Sequence, residues 1–235
     1  VSLPVVFLGA LVALQSASEV RQIVSFRFLP GETPGAIGIF RDEARPLYEA
    51  NAPMLRFRAY REVESSEPLD LVVISSFRGM AEMDRSNQAL AEEAARRGTS
   101  VPALYGKIAA ASAGHRDEFV RMDPRLSWGD VDGARLVVLV RFRLAPGGRS
   151  PFETLVHGRL VPWEKEQGLA AGSESGTFLL ADGFDFFRVL GISSLGDWQR
   201  YVEALREAPF ASEMEGWIAE SSQVILAPVR ELSVR

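Results

Sequence analysis

The feature that most constrains this chain is that it repeats itself. Residues 24–31 read VSFRFLPG and residues 140–147 read VRFRLAPG, so Val24, Phe26, Arg27, Pro30 and Gly31 return as Val140, Phe142, Arg143, Pro146 and Gly147. The same offset of 116 (24 to 140) carries Pro46 onto Pro162. One residue shorter, it carries Asp70 onto Asp185, Met83 onto Trp198, Arg85 onto Arg200 and Ala89-Leu90 onto Ala204-Leu205. Towards the ends, Ile108-Ala109 matches Ile218-Ala219, and Val120-Arg121 matches Val229-Arg230. Matches in order, at an offset that drifts but never reverses, mark a duplicated unit.

Each copy carries the same succession of periodicities. Val24, Phe26 and Phe28 alternate with Ser25 and Arg27, which predicts a strand over 22–29 ended by Pro30-Gly31. Ile37, Phe40, Ala44 and Leu47 predict a helix over 35–50 that Pro46 kinks or divides. Strands over 54–63 and 69–76 flank a polar turn at 64–68, and a helix over 79–97 gathers Met80, Met83, Leu90 and Ala94 on one stripe. The second copy predicts a strand over 136–144 and a helix through Phe152, Leu155, Leu160 and Trp163. Strands over 177–181 and 184–190 follow, joined at Asp182-Gly183. A helix through Leu195, Trp198, Val202 and Leu205 and a closing strand over 223–232 complete it.

Residues 101–114 read as helix and 124–133 as linker, which places one module at 19–127 and a second at 134–235. Strand-helix-strand-strand-helix-strand is the ferredoxin-like unit. The expected fold class is therefore α+β, with two tandem ferredoxin-like βαββαβ modules. A lone unit leaves one sheet face uncovered, and two such faces meeting form an internal pseudo-dimeric α+β barrel.

On the VxFRxxPG strand end, the proline of the first helix and the opening of the second (Met80, Glu82 and Met83; Leu195, Asp197 and Trp198), residues 20–235 resemble the dimeric α+β-barrel superfamily. That group includes antibiotic-biosynthesis-monooxygenase-like, NIPSNAP-like, EthD-like and stress-responsive barrel families. The motifs are structural and do not separate these families. The resemblance implies oxidation without a bound cofactor as one activity, and haem held by a helix histidine as another.

Composition removes several classes. The chain has no cysteine, which excludes disulfides, thiolate metal sites and cysteine nucleophiles. The net charge of −5, with no basic block, argues against a nucleic-acid partner. Residues 3–14, LPVVFLGALVAL, are apolar but too few to span a bilayer. With the small residues Ser16, Ala17 and Ser18 they read as a secretory signal over 1–18. That implies a periplasmic or secreted protein with no membrane anchor after cleavage. The positive segment that precedes such a run is missing, so Val1 is either an alternative start or lies downstream of the true one. The competing reading is a buried strand or helix of a cytoplasmic protein.

No HExxH or Gly-x-Ser-x-Gly is present, so no catalytic residue is named and no metal site is expected. There are two histidines. His157 lies beside an apolar helical stripe; a haem ligand is the sharp reading and a surface histidine the simpler one. His115, near Asp117 and Glu118, is a weak metal cluster or, more simply, part of a solvated loop. Gly168, Gly172 and Gly176 lack the lysine of a phosphate loop and read as a flexible connection. Trp163, Trp198 and Trp217 read as core.

The strand arginines are more informative. Arg27, Arg56, Arg58, Tyr60, Arg141, Arg143 and Arg188 alternate with apolar neighbours. Facing inward, they line a cavity for an anion or carbonyl; facing outward, they are ordinary solvated arginines. Asp70 and Asp185 are candidates to pair with them. The expected ligand-binding set is Arg27, Arg56, Arg58, Tyr60, Arg143 and Arg188. The expected function is binding of a small hydrophobic or aromatic molecule between the two halves, without cofactor, with self-association left open. The alternatives are a cofactor-independent monooxygenase-like enzyme, a haem protein using His157, and a structural oligomerisation module.

Overall fold

The computed structural model describes residues 18–65 and 69–234. The apolar run at 3–14 and the tip of the polar turn lie outside the described residues. Alternating segments become β1 (Val20–Phe28), β2 (Met54–Ser65), β3 (Leu71–Phe77) and β4 (Ser112–Met122) in the first half of the chain. The second half holds β6 (Leu136–Leu144), β7 (Gly172–Leu180), β8 (Phe186–Ile192) and β9 (Ile218–Pro228), with the short β5 (Trp128–Gly129) between the halves. The result is an α+β fold built on one large antiparallel sheet, in the order β4-β1-β3-β2-β9-β6-β8-β7-β5. β4 also pairs with β7, which joins the row to itself.

β4 departs from expectation. Residues 112–118 had the look of a helix end and a solvated loop, yet they pair along β1 from Phe28–Ser112 to Val20–Arg121. Pairing with a neighbour outweighs the weak local pattern of this polar segment. The register also revises the match between repeat ends. Phe26 faces His115 and Phe142 faces Ser221, an offset of 106 (115 to 221) in place of the 110 (108 to 218) suggested by Ile108 and Ile218.

The first helical stretch is α1 (Thr33–Ile39), a π turn (Phe40–Ala44) and α2 (Arg45–Glu49). Its counterpart is α5 (Arg149–Leu155), a π turn (Val156–Leu160) and α6 (Val161–Gln167). Pro46 and Pro162 sit just after the widened turns. Proline has no N–H for the carbonyl one turn back, and a π turn absorbs that lost bond. α3 (Met80–Arg96) and α4 (Val101–Ala111) follow in the first half, α7 (Leu195–Arg206) and α8 (Ala211–Gly216) in the second. Among the described residues no helix is long and apolar enough to cross a membrane.

Both faces of the sheet are covered. Phe28, Phe40, Leu47, Phe57, Leu71 and Leu90 form a core between the first-half strands and their helices. Inside the row closed by β4–β7, Ile23, Val72, Ile74, Val137, Leu139, Phe187 and Leu226 form another, drawn from both halves. Each such side chain contributes about 1.5–3 kcal/mol by leaving water. The three spaced glycines are not a flexible connection. Gly168 ends α6 in the left-handed region at φ 62°. Gly172 and Gly176 lie on β7, and a Cβ on Gly176 would come within 2.4 Å of the Arg121 carbonyl across the β4–β7 seam.

Candidate functional site

The predicted polar set splits three ways. Arg56, Arg58 and Tyr60 gather at one mouth of the closed sheet. Arg56 donates to Glu19 at 2.8 Å and Asp132 at 3.0 Å, and Arg58 donates to Asp132 at 2.6 Å. Arg21, which was not in the predicted set, joins them through Glu19 and Glu174. These groups surround a void of about 10 Å³, room for roughly one water. Arg27 and Arg143 lie exposed at the strand ends, Arg143 beside Glu220 at 2.9 Å. Arg188 is buried on the helix-facing side of β8. Among the described residues Asp70 and Asp185 take no arginine: Asp70 accepts from the Phe28 N–H at 2.7 Å, and Asp185 from the Leu144 N–H at 2.8 Å.

Arg141 does point inside the closed sheet. It donates to Glu118 from Nε at 2.9 Å and from Nη2 at 2.6 Å, both side chains buried. With that pair and the apolar core, the space between the two halves is filled by side chains.

A cavity of ligand size lies elsewhere, between the first-half sheet and its helices. Its volume is about 300 Å³, at the lower end of the small-molecule range. The floor is set by strand register. Gln22 faces Ser75, which faces Phe57; Val24 lies between Asp117 and Val73; Phe26 faces His115. The roof is Phe40 in the π turn, Tyr48 on α2, and Tyr105, Ile108 and Ala109 on α4. Phe26 meets Phe40 edge to face at 5.4 Å, and Tyr48 stacks on Phe57 at 4.2 Å. Burial and then the Tyr105 hydroxyl hydrogen-bonded to it push the Tyr48 phenol well above its ordinary range.

One edge of this cavity is polar. Gln22 Nε2 donates to Asp117 Oδ1 at 2.8 Å, and His115 Nε2 lies 3.3 Å from Asp117 Oδ2. His115 also stacks on Phe26 at 6.0 Å. The solvated loop expected around His115 is a paired strand, which brings this histidine to the cavity edge. Among the described residues no three metal-ligating side chains gather.

In the second half the corresponding space is closed. Val24 faces Val73 where Val140 faces Arg188, and Phe57 faces Ser75 where Ser173 faces Leu190. Tyr48 and Glu164 each stand two residues after the helix proline. Arg188 crosses from β8 to donate to both oxygens of Glu164 at 2.8 Å and to the Ser173 hydroxyl at 2.9 Å. Glu164 also accepts from Trp128, Ser173 and Tyr201.

The chain aligns over most of its length with solved structures. An anthrone oxidase-like protein superposes with a TM-score of 0.62 at 11% identity, covering 92% of this chain and 93% of the other. The α+β fold, with one large antiparallel sheet, is the one these structures share. Among them, a protein from Fusobacterium nucleatum named as a candidate monooxygenase aligns at TM-score 0.64 and 10% identity, covering 91% and 94% of the two chains. A chlorite dismutase from Candidatus Nitrospira defluvii aligns at 0.57 and 13%, covering 93% and 95%. No protein-family model matches the chain, and no curated protein matches it by sequence.

Haem through a helix histidine can be tested on the geometry. His157 is exposed on the second π turn. The space between that helix and the sheet is taken by Phe152, Leu155, Phe186 and the Glu164–Arg188 pair. These residues do not fit a porphyrin there.

Proposed function

We propose that this α+β barrel binds one small, flat, mainly apolar molecule per chain, in the cavity between the first-half sheet and α1, α2 and α4. The observation that carries the reading is the contrast between halves. Strand order is last-first-third-second in each, β4-β1-β3-β2 and β9-β6-β8-β7. This supports two tandem modules, over 19–127 and 134–235, of which the second fills its counterpart cavity with Arg188 and Glu164. The ligand chemistry expected from the sequence is kept, and its place moves from between the halves to within the first. Isothermal titration of the full chain with naphthol is the test. The expected result is one site, abolished by Ile108→Trp, which fills the cavity from α4. Two sites, or binding indifferent to that change, would refute the reading.

The polar edge favours a second reading. A His115 imidazole beside Asp117 can take a proton from a hydroxylated aromatic substrate, in line with cofactor-independent oxidation and with neighbours named as a candidate monooxygenase and an anthrone oxidase-like protein. Oxygen uptake with such a substrate, lost in His115→Ala while binding persists, is the expected result. Uptake that survives the change excludes His115 as the base.

We also propose that residues 1–18 direct export. Mass spectrometry of exported protein should find a new terminus near Ser18 or Glu19; cytosolic protein retaining Val1 would count against it.

A further inference from the structure

The cavity lining has a sign. Among the described residues no lysine or arginine contributes to it; its ionisable groups are Asp117, His115, Tyr48 and Tyr105. Lys107 on α4 is paired with Glu43 at 2.6 Å, and Arg27 is exposed at its strand end. The walls are ring faces and edges from Phe26, Phe40, Tyr48 and Phe57. Aromatic faces carry the negative side of the ring quadrupole and attract cations. Asp117 stands at the open edge with one oxygen on Gln22 and the other near His115. An ionised carboxylate has about four acceptor positions, so it can take a further donor from a bound molecule.

We infer that the ligand is an aromatic amine in its protonated form, its ring between the aromatic walls and its ammonium group towards Asp117. This rests on the reading that the cavity takes a small flat molecule. An aromatic carboxylate would bring its charge against Asp117 and the ring faces with no lysine or arginine in the lining to receive it. A neutral arene would fill the walls and leave the Asp117 edge without a complement. The combination of aromatic walls and one carboxylate selects charge sign as well as shape.

The experiment is a matched series on the full chain by isothermal titration: naphthylethylamine, naphthylethanol and naphthylacetate. The ring is constant and the head group is cationic, neutral or anionic. The amine should bind about tenfold more tightly than the alcohol, as expected when donor and acceptor are both charged rather than the acceptor alone, and the carboxylate should bind most weakly. Asp117→Asn should remove the amine's advantage over the alcohol. An alcohol or carboxylate that equals the amine on the unmodified protein overturns the inference, as does a preference that survives Asp117→Asn. Binding by none of the three overturns the cavity reading itself.

Discussion

Arg188 donates to both carboxylate oxygens of Glu164 at 2.8 Å, bridging sheet and helix where Val73 and Tyr48 leave room in the other half. Both side chains are fully buried, so their attraction must offset two desolvation costs. On the carboxylate side it is helped by Tyr201 at 2.6 Å, Trp128 at 2.9 Å and Ser173 at 2.9 Å, which also donate to Glu164, whereas Arg188 Nε and Nη1 are buried without a hydrogen-bond partner among the described residues.

Removing one partner should therefore be far worse than removing both. Glu164→Ala strands a buried guanidinium and should lower unfolding free energy by about 3–5 kcal/mol. Glu164→Leu with Arg188→Met should recover most of that loss, since apolar replacement of a whole buried pair is often near neutral. Equilibrium urea unfolding measures both. A single-variant loss below roughly 1 kcal/mol would mean that the pair is hydrated in solution.

The β4–β7 seam depends on a missing side chain. A Cβ at Gly176 would lie 2.4 Å from the Arg121 carbonyl and 2.7 Å from Val120 Cγ1. Gly176→Ala should cost roughly 1–3 kcal/mol by forcing the strands apart. Amide exchange should speed up first at the amides that bond across the seam, among them Asp123, which donates to the Ser175 carbonyl at 2.9 Å. Unchanged protection at those amides would show that the strands have slack.

What was legible in the sequence follows from what is local. Alternation at Val24, Phe26 and Phe28 marks β1, and the offset of the matches pairs Asp70 with Asp185. Their shared job is not local: each accepts an N–H from the end of a strand about 40 residues earlier, Phe28 or Leu144. The polar edge of the cavity was missed for the same reason. His115 and Asp117 sit on a strand whose sequence, SAGHRDEFVRM, has little apolar alternation and is held by pairing with β1. Which half is open turns on Val73 against Arg188, Tyr48 against Glu164 and Phe57 against Ser173, substitutions that acquire meaning only once register is known.

The charged mouth predicts losses of stability at both ends of the pH scale. Burial opposes the charges of Glu19 and Asp132, but Arg21 and Arg56 on the first, and Arg58 and Arg56 on the second, outweigh it and hold both carboxyls low. Depressed carboxyls stabilise the fold above their ordinary values of 4.5 and 3.8, and that contribution fades as pH falls below them. Tyr60 goes the other way: burial, with Asp132 adding to it, pushes its phenol from 10.0 up to about 12. Its neutral form therefore favours the fold fully below pH 10, and the contribution disappears as pH rises through about 12. Unfolding measured across pH should show an alkaline fall that is smaller in Tyr60→Phe. Identical alkaline profiles would mean that Tyr60 is ionised as easily folded as unfolded.

The contrast between halves can be moved from one to the other. Val73→Arg, Tyr48→Glu and Phe57→Ser place in the first half the residues that stand at the matching register in the second: Arg188, Glu164 and Ser173. The new guanidinium would enter the 300 Å³ space and meet its carboxylate across it. Some stability should be lost, because the counterparts of Trp128 and Tyr201 are not supplied with the transplant. The variant should still fold, since each new polar group has one partner, and its melting transition reports on that. Naphthol binding should vanish while the Arg56–Asp132 mouth is untouched. The alternative placement, a ligand held by the arginines at the mouth, predicts the opposite: affinity unchanged in the triple variant and lost in Arg56→Ala. Titrating both variants with the same ligand decides between the two places, because Arg56 and Phe57, though neighbours on β2, face different cavities.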